Sequence, residues 1–227
     1  MNKKLAIIPA RGGSKRIKNK NIKRFYDEPI ILKVYKQVLK SGIFKKIHIS
    51  TDSLKIKNLL KKNNIKIDFM RPSAISTDHS VINDVITFVL KEYRKINVYF
   101  DEVWIIFPTS VLISFSDLRE ASILFSSKNA KSIMSVSKFP APIEWAYKIK
   151  NNKLVPVNKN KLSKPSFSFD EHYFETASFY GINLNKVPLS NISKLTNHLP
   201  FILPPHKSVD IDNKEDWELA KKFFKFK

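Results

Sequence analysis

The chain has 227 residues and no cysteine. This length fits one domain with a sizeable core, and the composition excludes disulfides, thiolate zinc sites and a cysteine nucleophile. The formal net charge of +21 is spread over nearly every segment, so it indicates an anionic partner only at residues 15–24, where it concentrates. No stretch approaches the roughly 20 apolar residues of a membrane span and no signal peptide is indicated, so we expect a cytoplasmic protein without a membrane partner.

Strand and helix patterns alternate through the first half of the chain. Pro29 suits the first turn of a helix, and Gly42 suits its C-terminal end. In chain order we predict strands at 4–9, 47–50, 65–70, 103–107 and 132–137, and helices at 29–41, 54–62, 81–93 and 117–125. Alternation of this kind predicts βαβ units with right-handed crossovers, so the predicted fold class is α/β, with a mainly parallel sheet between two layers of helices.

Ligands of such sheets lie beyond the carboxyl ends of the strands. Four predicted loops begin at those ends and should therefore share one rim of the molecule. They are the loops at 9–21, 50–53, 71–80 and 108–116. We expect the functional site there.

The second half of the chain departs from the alternation. Residues 138–175 carry several prolines, a polar turn and scattered aromatic residues, which predict a β-rich excursion from the main sheet. A strand returns at 178–183, another is predicted at 208–212, and a helix begins near Lys214 with Asn213 as its cap. We predict a single domain over residues 1–227, with the excursion at 138–175 as its one appendage.

The loop after the first strand has an unusual composition. Gly12 and Gly13 are adjacent and are followed by basic residues, and bare glycines let backbone N–H groups approach phosphate oxygens. Arg11 and Lys15 can neutralise those oxygens, and Ser14 can donate a hydroxyl proton. The spacing is neither that of a P-loop nor GxGxxG. Taken alone, these residues fit either a polyphosphate site or an ordinary turn.

A wider set of motifs resembles the acylneuraminate cytidylyltransferases, which make CMP-activated nonulosonic acids. Pro9-Ala10-Arg11-Gly12-Gly13-Ser14-Lys15-Arg16 followed by Lys20-Asn21-Ile22 is similar to the family signature. Four further elements occur in the family's order: Ser50-Thr51-Asp52, Arg71-Pro72, Pro108-Thr109-Ser110 and Val209-Asp210-Ile211-Asp212. The resemblance spans nearly the whole chain and implies a Rossmann-like, three-layer α/β/α nucleotidyltransferase that uses CTP.

The resemblance also implies roles for individual residues. Arg11, Ser14 and Lys15, with Gly12 and Gly13, would hold the CTP phosphates. Lys20 would lie near the α-phosphate, and Asn21 would help to read the nucleotide. Arg71 and Ser80 would lie near the base and ribose. Arg11, Lys20 and Asp210 are the candidate catalytic residues. In the loop at 76–80, Thr77 and Asp78 could equally form a turn and cap the helix that follows, and we expect His79 to be an exposed loop residue.

Asp210 and Asp212 are the candidate metal ligands. In a strand, residues two apart face the same side, and two carboxylates so placed suit Mg²⁺. By resemblance, the metal would orient the acceptor sugar and lower the pKa of its attacking hydroxyl. The alternative is that both carboxylates are solvated at an edge or cap the following helix.

The acceptor region resembles the pseudaminic acid branch of the family through Phe139-Pro140-Ala141-Pro142-Ile143-Glu144-Trp145-Ala146. The candidate sugar-binding residues are Thr109, Ser110, Lys164, Tyr173, Phe179 and Tyr180. The chain departs from the family pattern at Val111, at Tyr173-Phe174-Glu175, at Ala177 and at residues 164–168. The alternative for Phe179 and Tyr180 is core packing.

The resemblance implies that the excursion pairs with a second subunit and helps to complete its sugar site, so we expect a homodimer. Alternative functions are a CMP-N-acetylneuraminate or CMP-legionaminate synthetase, a 3-deoxy-manno-octulosonate cytidylyltransferase, and a family member that has lost activity. The least favoured alternative is a non-enzymatic nucleic-acid binder, since no recognised RNA-binding module or aromatic platform is present.

Overall fold

The structure is a computed structural model that describes residues 2–77 and 80–226. Asp78 and His79, which the sequence analysis assigns to a loop, lie outside the described residues. The strands are β1 (Lys4–Pro9), β2 (Arg24–Phe25), β3 (Glu28–Pro29), β4 (Lys46–Ser50), β5 (Glu102–Ile106), β6 (Ser132–Lys138), β7 (Tyr147–Lys150), β8 (Lys153–Pro156), β9 (Tyr173–Asn183) and β10 (Leu199–Ile202). The α-helices are α1 (Ile30–Ser41), α2 (Leu54–Lys62), α3 (Ile82–Lys95), α4 (Phe115–Ser127) and α5 (Lys214–Phe224).

The central sheet has the strand order β10-β6-β9-β5-β1-β4. β1 is parallel to both β4 and β5, with Ile7 opposite His48 on one side and Ile105 on the other. β6 is parallel to β10. β9 is antiparallel to β5 and β6, between which it lies. The predicted α/β class with a mainly parallel sheet is confirmed.

The alternation of side chains along the strands fills a separate hydrophobic cluster on each face of the sheet. Ala6 and Ile8 of β1 join the cluster that includes buried residues of α1, α2, α4 and α5. Leu5 and Ile7 point the other way and join the cluster that includes α3. Because successive strand residues face opposite sides, one apolar strand can support both layers. The sheet therefore lies between two helical layers.

Trp104 of β5 is fully buried and organises the centre of the first cluster. Its ring contacts Phe44, Phe125 and Phe179 with centroid distances of 5.8–6.0 Å. Gly181 of β9 lies opposite Trp104 in the strand pairing. A Cβ atom on Gly181 would lie 2.8 Å from the Trp104 ring, so the indole occupies space that only glycine leaves open.

The helix ends follow the sequence signals. Gly42 ends α1 with φ of 67°, and Asn213 and Asp216 form a reciprocal capping box at the start of α5. Val81 is the N-cap of α3 and makes no side-chain capping bond, so Thr77 does not cap that helix. Within the described part of the chain, none of the helices has the length and apolar character needed to cross a membrane.

Two predicted strands do not form. At 65–70, Ile67 and Phe69 pack against different clusters, while Asp68 accepts a hydrogen bond from Tyr93 at 2.5 Å and pairs with Lys46 at 2.7 Å. These side-chain contacts fix the stretch without a backbone ladder. At 208–212, the N–H groups of residues 212 and 213 donate to the carboxylate of Asp216 and not to a neighbouring strand.

The excursion at 138–175 contains less strand than its prolines and aromatic residues predict. β7 and β8 form a hairpin whose two turn residues, Asn151 and Asn152, both have positive φ, as in a type I′ turn. The rest contains three short 3-10 turns, at residues 143–145, 159–161 and 166–168. The hairpin forms a two-stranded sheet separate from the central sheet, and the predicted β-rich character of the excursion is limited to this hairpin.

The close packing at Gly181 generates a stability prediction. Gly181→Ala should lower the free energy of unfolding by about 1–3 kcal/mol, because the added methyl overpacks the contact with Trp104 and Ile133. Urea denaturation measures this change. Gly13→Ala is the matched control, since no atom lies within 4 Å of a Cβ built there, and it should change stability by less than about 0.5 kcal/mol. Equal stability of the two variants would contradict this packing.

Candidate active site

A cavity of about 370 Å³ opens at the carboxyl ends of β1 and β5. The loops at 9–21, 71–80 and 108–116 all contribute to its wall, together with Ala177 of β9 and the segment that carries Asp210 and Asp212. The predicted loop at 50–53 supports the cavity from behind through Asp52. The predicted shared rim is confirmed for the described residues.

One wall of the cavity is strongly basic. It is formed by Arg11, Lys15, Arg16, Lys20 and Arg71. The hydroxyl-bearing residues Ser14, Ser76, Thr77 and Ser80 border the same space. Cations and hydroxyl donors around one cavity are the groups that bind a polyphosphate.

The glycine pair in the loop at 9–21 after β1, here called the opening loop or the basic loop, does not border this cavity. The N–H of Gly12 donates to Asp52 Oδ1 at 3.0 Å, so it is not available to a phosphate in this conformation. A Cβ on Gly12 would lie 2.9 Å from the Cβ of Ser53, the N-cap of α2. Gly12 therefore allows the loop to pack closely on the start of α2. The expectation that both glycines expose backbone to a ligand is wrong for Gly12, and Gly13 lies in open space.

Arg71 is the most deeply buried cation of the basic wall, with 7% of the residue exposed. Its backbone N–H donates to the carbonyl of Thr51, and its Nη2 atom lies 3.9 Å from Asp52 Oδ1. Its Nε and Nη2 atoms are buried without a hydrogen-bond acceptor among the described residues. Burial lowers the pKa of Arg71, Asp52 opposes this shift, and Arg11 adds to it. Buried polar groups are normally hydrogen-bonded, so these unpaired donors beside a cavity can bind a polar ligand.

Asn21 holds the opening loop in place. It is 6% exposed and donates from Nδ2 to the carbonyl of Arg11 at 2.9 Å. The side chain borders the cavity as well. Asn21 thus fixes the backbone that carries Arg11.

The acidic residues lie on the same cavity as the basic wall. Arg16 donates to both carboxylate oxygens of Asp212 at 2.9 Å. Lys20 Nζ lies 2.7 Å from the carbonyl oxygen of Ile211 and 3.3 Å from Asp212 Oδ1. Partial burial raises the pKa of Asp210, and the charge of Asp212 raises it further. Residues almost two hundred positions apart in the sequence are therefore in direct contact.

The acidic segment is held by anchors at both ends. Before it, Lys207 Nζ donates to both carboxylate oxygens of Asp117, at 2.8 and 2.9 Å. Although burial pushes the pKa of Asp117 upward, hydrogen bonds from Lys207 and Ser114 lower it overall. After the segment, the capping box of α5 fixes the backbone. Between the two aspartates of the segment, the side chain of Ile211 is fully buried. These anchors place both aspartates on the cavity although the segment is not a strand.

Residues 5–223 match the model of a family described as cytidylyltransferase. The chain belongs to this cytidylyltransferase family. It is therefore a CTP-dependent nucleotidyltransferase.

Individual relatives of this cytidylyltransferase cover almost its whole length. It is 30% identical to the pseudaminic acid cytidylyltransferase of Campylobacter jejuni, over 98% of this chain and 97% of the relative. It is 27% identical to the CMP-N,N'-diacetyllegionaminic acid synthase of Legionella pneumophila, over 96% and 94% of the two chains. The solved structure of a CMP:2-keto-3-deoxy-manno-octonic acid synthetase complexed with CTP has the same fold, with a TM-score of 0.70, 15% identity and 99% coverage of both chains.

The candidate sugar-binding residues of the cytidylyltransferase do not all meet at the cavity. Thr109 borders it. Ser110 is buried, and its hydroxyl donates to the carbonyl of Ser178 at 2.8 Å, which is a structural contact. Lys164 and Tyr173 lie in or beside the excursion and do not border the cavity.

The two predicted aromatic sugar contacts, Phe179 and Tyr180, also lie outside the cavity lining. Phe179 is 1% exposed and packs against Trp104 and Phe201, so the prediction of a sugar contact is wrong and the core alternative holds. Tyr180 packs against Phe107, and its hydroxyl is buried without a partner among the described residues. Burial raises the pKa of Tyr180.

Several residues at the site are absent from the candidates predicted from the sequence, among them Asp52, Arg16, Phe107 and Ala177. Asp52 holds the opening loop and faces Arg71, and Arg16 binds Asp212. Phe107 and Ala177 border the cavity. Arg16 and Asp52 both occur within the motifs that suggested the family, so the motifs themselves were the available signal. Nothing in the local sequence distinguishes Phe107 from a core residue, whereas Ala177 is one of the positions at which the chain departs from the family pattern.

Proposed function

We propose that this enzyme transfers the cytidylyl group of CTP to a nonulosonic acid, pseudaminic acid, giving the CMP-sugar and pyrophosphate. One observation carries the proposal: a basic wall and a pair of carboxylates meet at a single cavity, where Lys20 and Arg16 contact Asp212. The identity of 30% with a pseudaminic acid cytidylyltransferase over almost the whole chain supports this acceptor. Legionaminic acid is the second candidate, supported by the relative at 27% identity.

In the proposed reaction, the anomeric hydroxyl oxygen of the acceptor attacks the α-phosphorus of CTP. A new P–O bond forms as the bond from the α-phosphorus to the bridging oxygen of pyrophosphate breaks, and the hydroxyl proton is released. Negative charge grows on the leaving pyrophosphate. Fixed cations that already surround this position stabilise the charge without reorganisation, which is the main source of catalysis in phosphoryl chemistry.

The basic wall supplies the groups for this task. Arg11 and Lys15 would bind the β- and γ-phosphates, with Ser14 as a hydroxyl donor, and all three border the cavity. Lys20 would contact the α-phosphate, and its present contact with Asp212 joins the basic wall to the acidic segment. Arg71, Asn21 and Ser80 would bind the nucleoside part.

The donor set at Asp210 and Asp212 fits Mg²⁺. Two carboxylates border one cavity, and the charge of Asp212 raises the pKa of Asp210, so a cation beside the pair would relieve their repulsion. Among the described residues no group of three His, Cys, Asp or Glu side chains could hold a metal. Substrate phosphates would supply the remaining ligands, as is usual for Mg²⁺. When bound, the ion would supply positive charge that lowers the pKa of the attacking hydroxyl.

We also propose that the enzyme is a homodimer formed through the excursion. Ile149 and Leu154 pair across the β7–β8 hairpin, yet they are 78% and 68% exposed. Near them in the sequence, Glu144 Oε2 and Trp145 Nε1 are buried without a partner among the described residues. Exposed apolar pairs and unpaired buried polar atoms are both features that a second subunit can satisfy. Lys164 and Tyr173 would then contribute to the sugar site of the partner.

The acceptor proposal is tested with a panel of sugars. With CTP and Mg²⁺, pyrophosphate release should be fastest with pseudaminic acid, slower with legionaminic and N-acetylneuraminic acids, and slowest with 3-deoxy-manno-octulosonate. Each assay is scored by kcat/KM, because this ratio measures discrimination between competing substrates. A higher kcat/KM for another sugar would reassign the acceptor, and CTP turnover with none of them would overturn the function.

The metal proposal is tested with Asp210→Asn. Loss of one anionic ligand should raise the Mg²⁺ concentration needed for half-maximal rate at least tenfold, while the affinity for CTP measured calorimetrically without metal stays within about threefold. Asp27→Asn is the control, because Asp27 is an exposed acid that pairs with Lys33 away from the cavity. An unchanged Mg²⁺ requirement in Asp210→Asn would remove this residue from the metal site.

The dimer proposal is tested by sedimentation velocity. The wild-type enzyme should sediment at twice the mass of one chain, and the double variant Ile149→Glu, Leu154→Glu should sediment as a monomer, because two charges per subunit would have to be desolvated. Leu54→Glu is the matched control, since Leu54 is 67% exposed on α2. A monomeric wild-type enzyme at micromolar concentration would refute the dimer.

A further inference from the structure

An irregularity in the sheet brings β9 to the edge of the cavity. Met134 of β6 pairs with Tyr180 and Val136 pairs with Glu175, so a single residue of β6 lies opposite four residues of β9, Thr176–Phe179. The extra residues cannot join the ladder and form a bulge. Ala177, at the second position of this bulge, borders the cavity.

Buried hydrogen bonds hold the bulge in one conformation. Ser135 Oγ accepts from the N–H of Phe179 at 3.0 Å and from the hydroxyl of Thr176 at 2.9 Å. From the other side, the hydroxyl of Ser110 donates to the carbonyl of Ser178 at 2.8 Å. All of these residues are buried. The position of Ala177 is therefore determined by its neighbours and cannot relax freely.

Ala177 itself has a strained backbone, with φ of +47°. Left-handed conformations are unfavourable for residues with a Cβ atom, and asparagine tolerates them better than alanine. Most other non-glycine residues with positive φ in the described parts of the chain are asparagines. A strained backbone conformation of this kind persists only because the surrounding structure imposes it. Such conformations cluster at functional sites, and Ala177 lies beside a cavity.

The surroundings of Ala177 suggest what it contacts. The part of the cavity lining drawn from the end of β5 and the following loop is uncharged and consists of Phe107, Pro108 and Thr109. The backbone N–H of Phe107 donates to the carbonyl of Ser178, which joins this stretch directly to the bulge. The cations and carboxylates come from other segments, residues 11–20, 71 and 210–212. An uncharged substituent of a substrate fits against the neutral wall better than a phosphate does.

We propose that Ala177 is a specificity-determining residue, which limits the size of the acceptor substituent that fits against the neutral wall formed by Phe107, Pro108 and Thr109. This inference rests on the proposed function, since it assigns this wall to the acceptor sugar. The rigid bulge presents only the methyl group of Ala177 to the cavity. A larger side chain at this position reduces the volume that is left for the acceptor. Glycine at this position enlarges the cavity and relieves the strained backbone.

Two substitutions test the inference in opposite directions. Ala177→Asn adds bulk with a residue that tolerates positive φ, so the fold is retained and the urea midpoint stays near that of the wild type. Its KM for the acceptor should rise at least tenfold, while its KM for CTP stays within twofold. Ala177→Gly should raise the urea midpoint and reduce at least threefold the ratio of kcat/KM between pseudaminic acid and a bulkier nonulosonate.

The control is Asn64→Gly, which changes an exposed residue with positive φ just after α2, outside the cavity lining. It should leave both KM values unchanged. A wild-type acceptor KM in Ala177→Asn would overturn the inference while leaving the proposed function intact. If the wild-type enzyme turned over no nonulosonic acid, the proposed function and this inference would both fall.

Discussion

The carboxylate of Asp212 is the point at which the beginning and the end of the chain meet. Arg16 donates hydrogen bonds to both oxygens of this carboxylate at 2.9 Å. Lys20 contacts the carboxylate at 3.3 Å and also donates to the neighbouring carbonyl of Ile211. At an exposed surface such pairs contribute little to stability. Here they matter for position, because they hold the basic loop and the acidic segment against one cavity. The cations proposed to bind phosphate and the carboxylates proposed to bind Mg²⁺ could then act on the same nucleotide.

The rest of the fold supports this meeting. β1 lies between β5 and the edge strand β4, and the basic loop follows it at its carboxyl end. Gly12 lets that loop pack closely on Ser53 at the start of α2. On the other side, the pair of Lys207 with Asp117 and the capping box of α5 fix the acidic segment. Both segments therefore also have anchors that lie outside the cavity lining. This arrangement suits an enzyme whose catalysis depends on fixed charges more than on a single reactive side chain.

Much of this architecture follows from sequence, because it depends on local signals. Alternating apolar runs and helix caps, such as Gly42 and Asn213, predict the α/β order. The resemblance of the basic and acidic motifs to a known signature indicates the family. The failures occur where tertiary contacts replace local rules. The stretch at 65–70 alternates like a strand but is fixed by side-chain contacts of Asp68. Phe179 is an aromatic residue in the predicted acceptor region, which suggested a sugar contact, but its side chain fills the core beside Trp104.

The site is only partly visible in the sequence for the same reason. Arg11, Lys20 and Asp210 belong to motifs, whereas Ala177 reaches the cavity through a bulge that no local pattern announces. The sequence also gives no reason for a glycine at position 12, because the reason is a contact with Ser53, which is distant in the sequence. The sequence thus shows which charged residues are present, and the three-dimensional contacts determine which of them lie together at the cavity.

The most direct test of the central claim is a crystal structure of the enzyme with CTP and Mg²⁺ in the absence of acceptor. The triphosphate should lie within hydrogen-bond distance of Arg11, Lys15 and Lys20, and a divalent cation should be bonded to the carboxylates of Asp210 and Asp212 at roughly 2.0–2.1 Å. A nucleotide bound elsewhere, or a cation held without either aspartate, would contradict it.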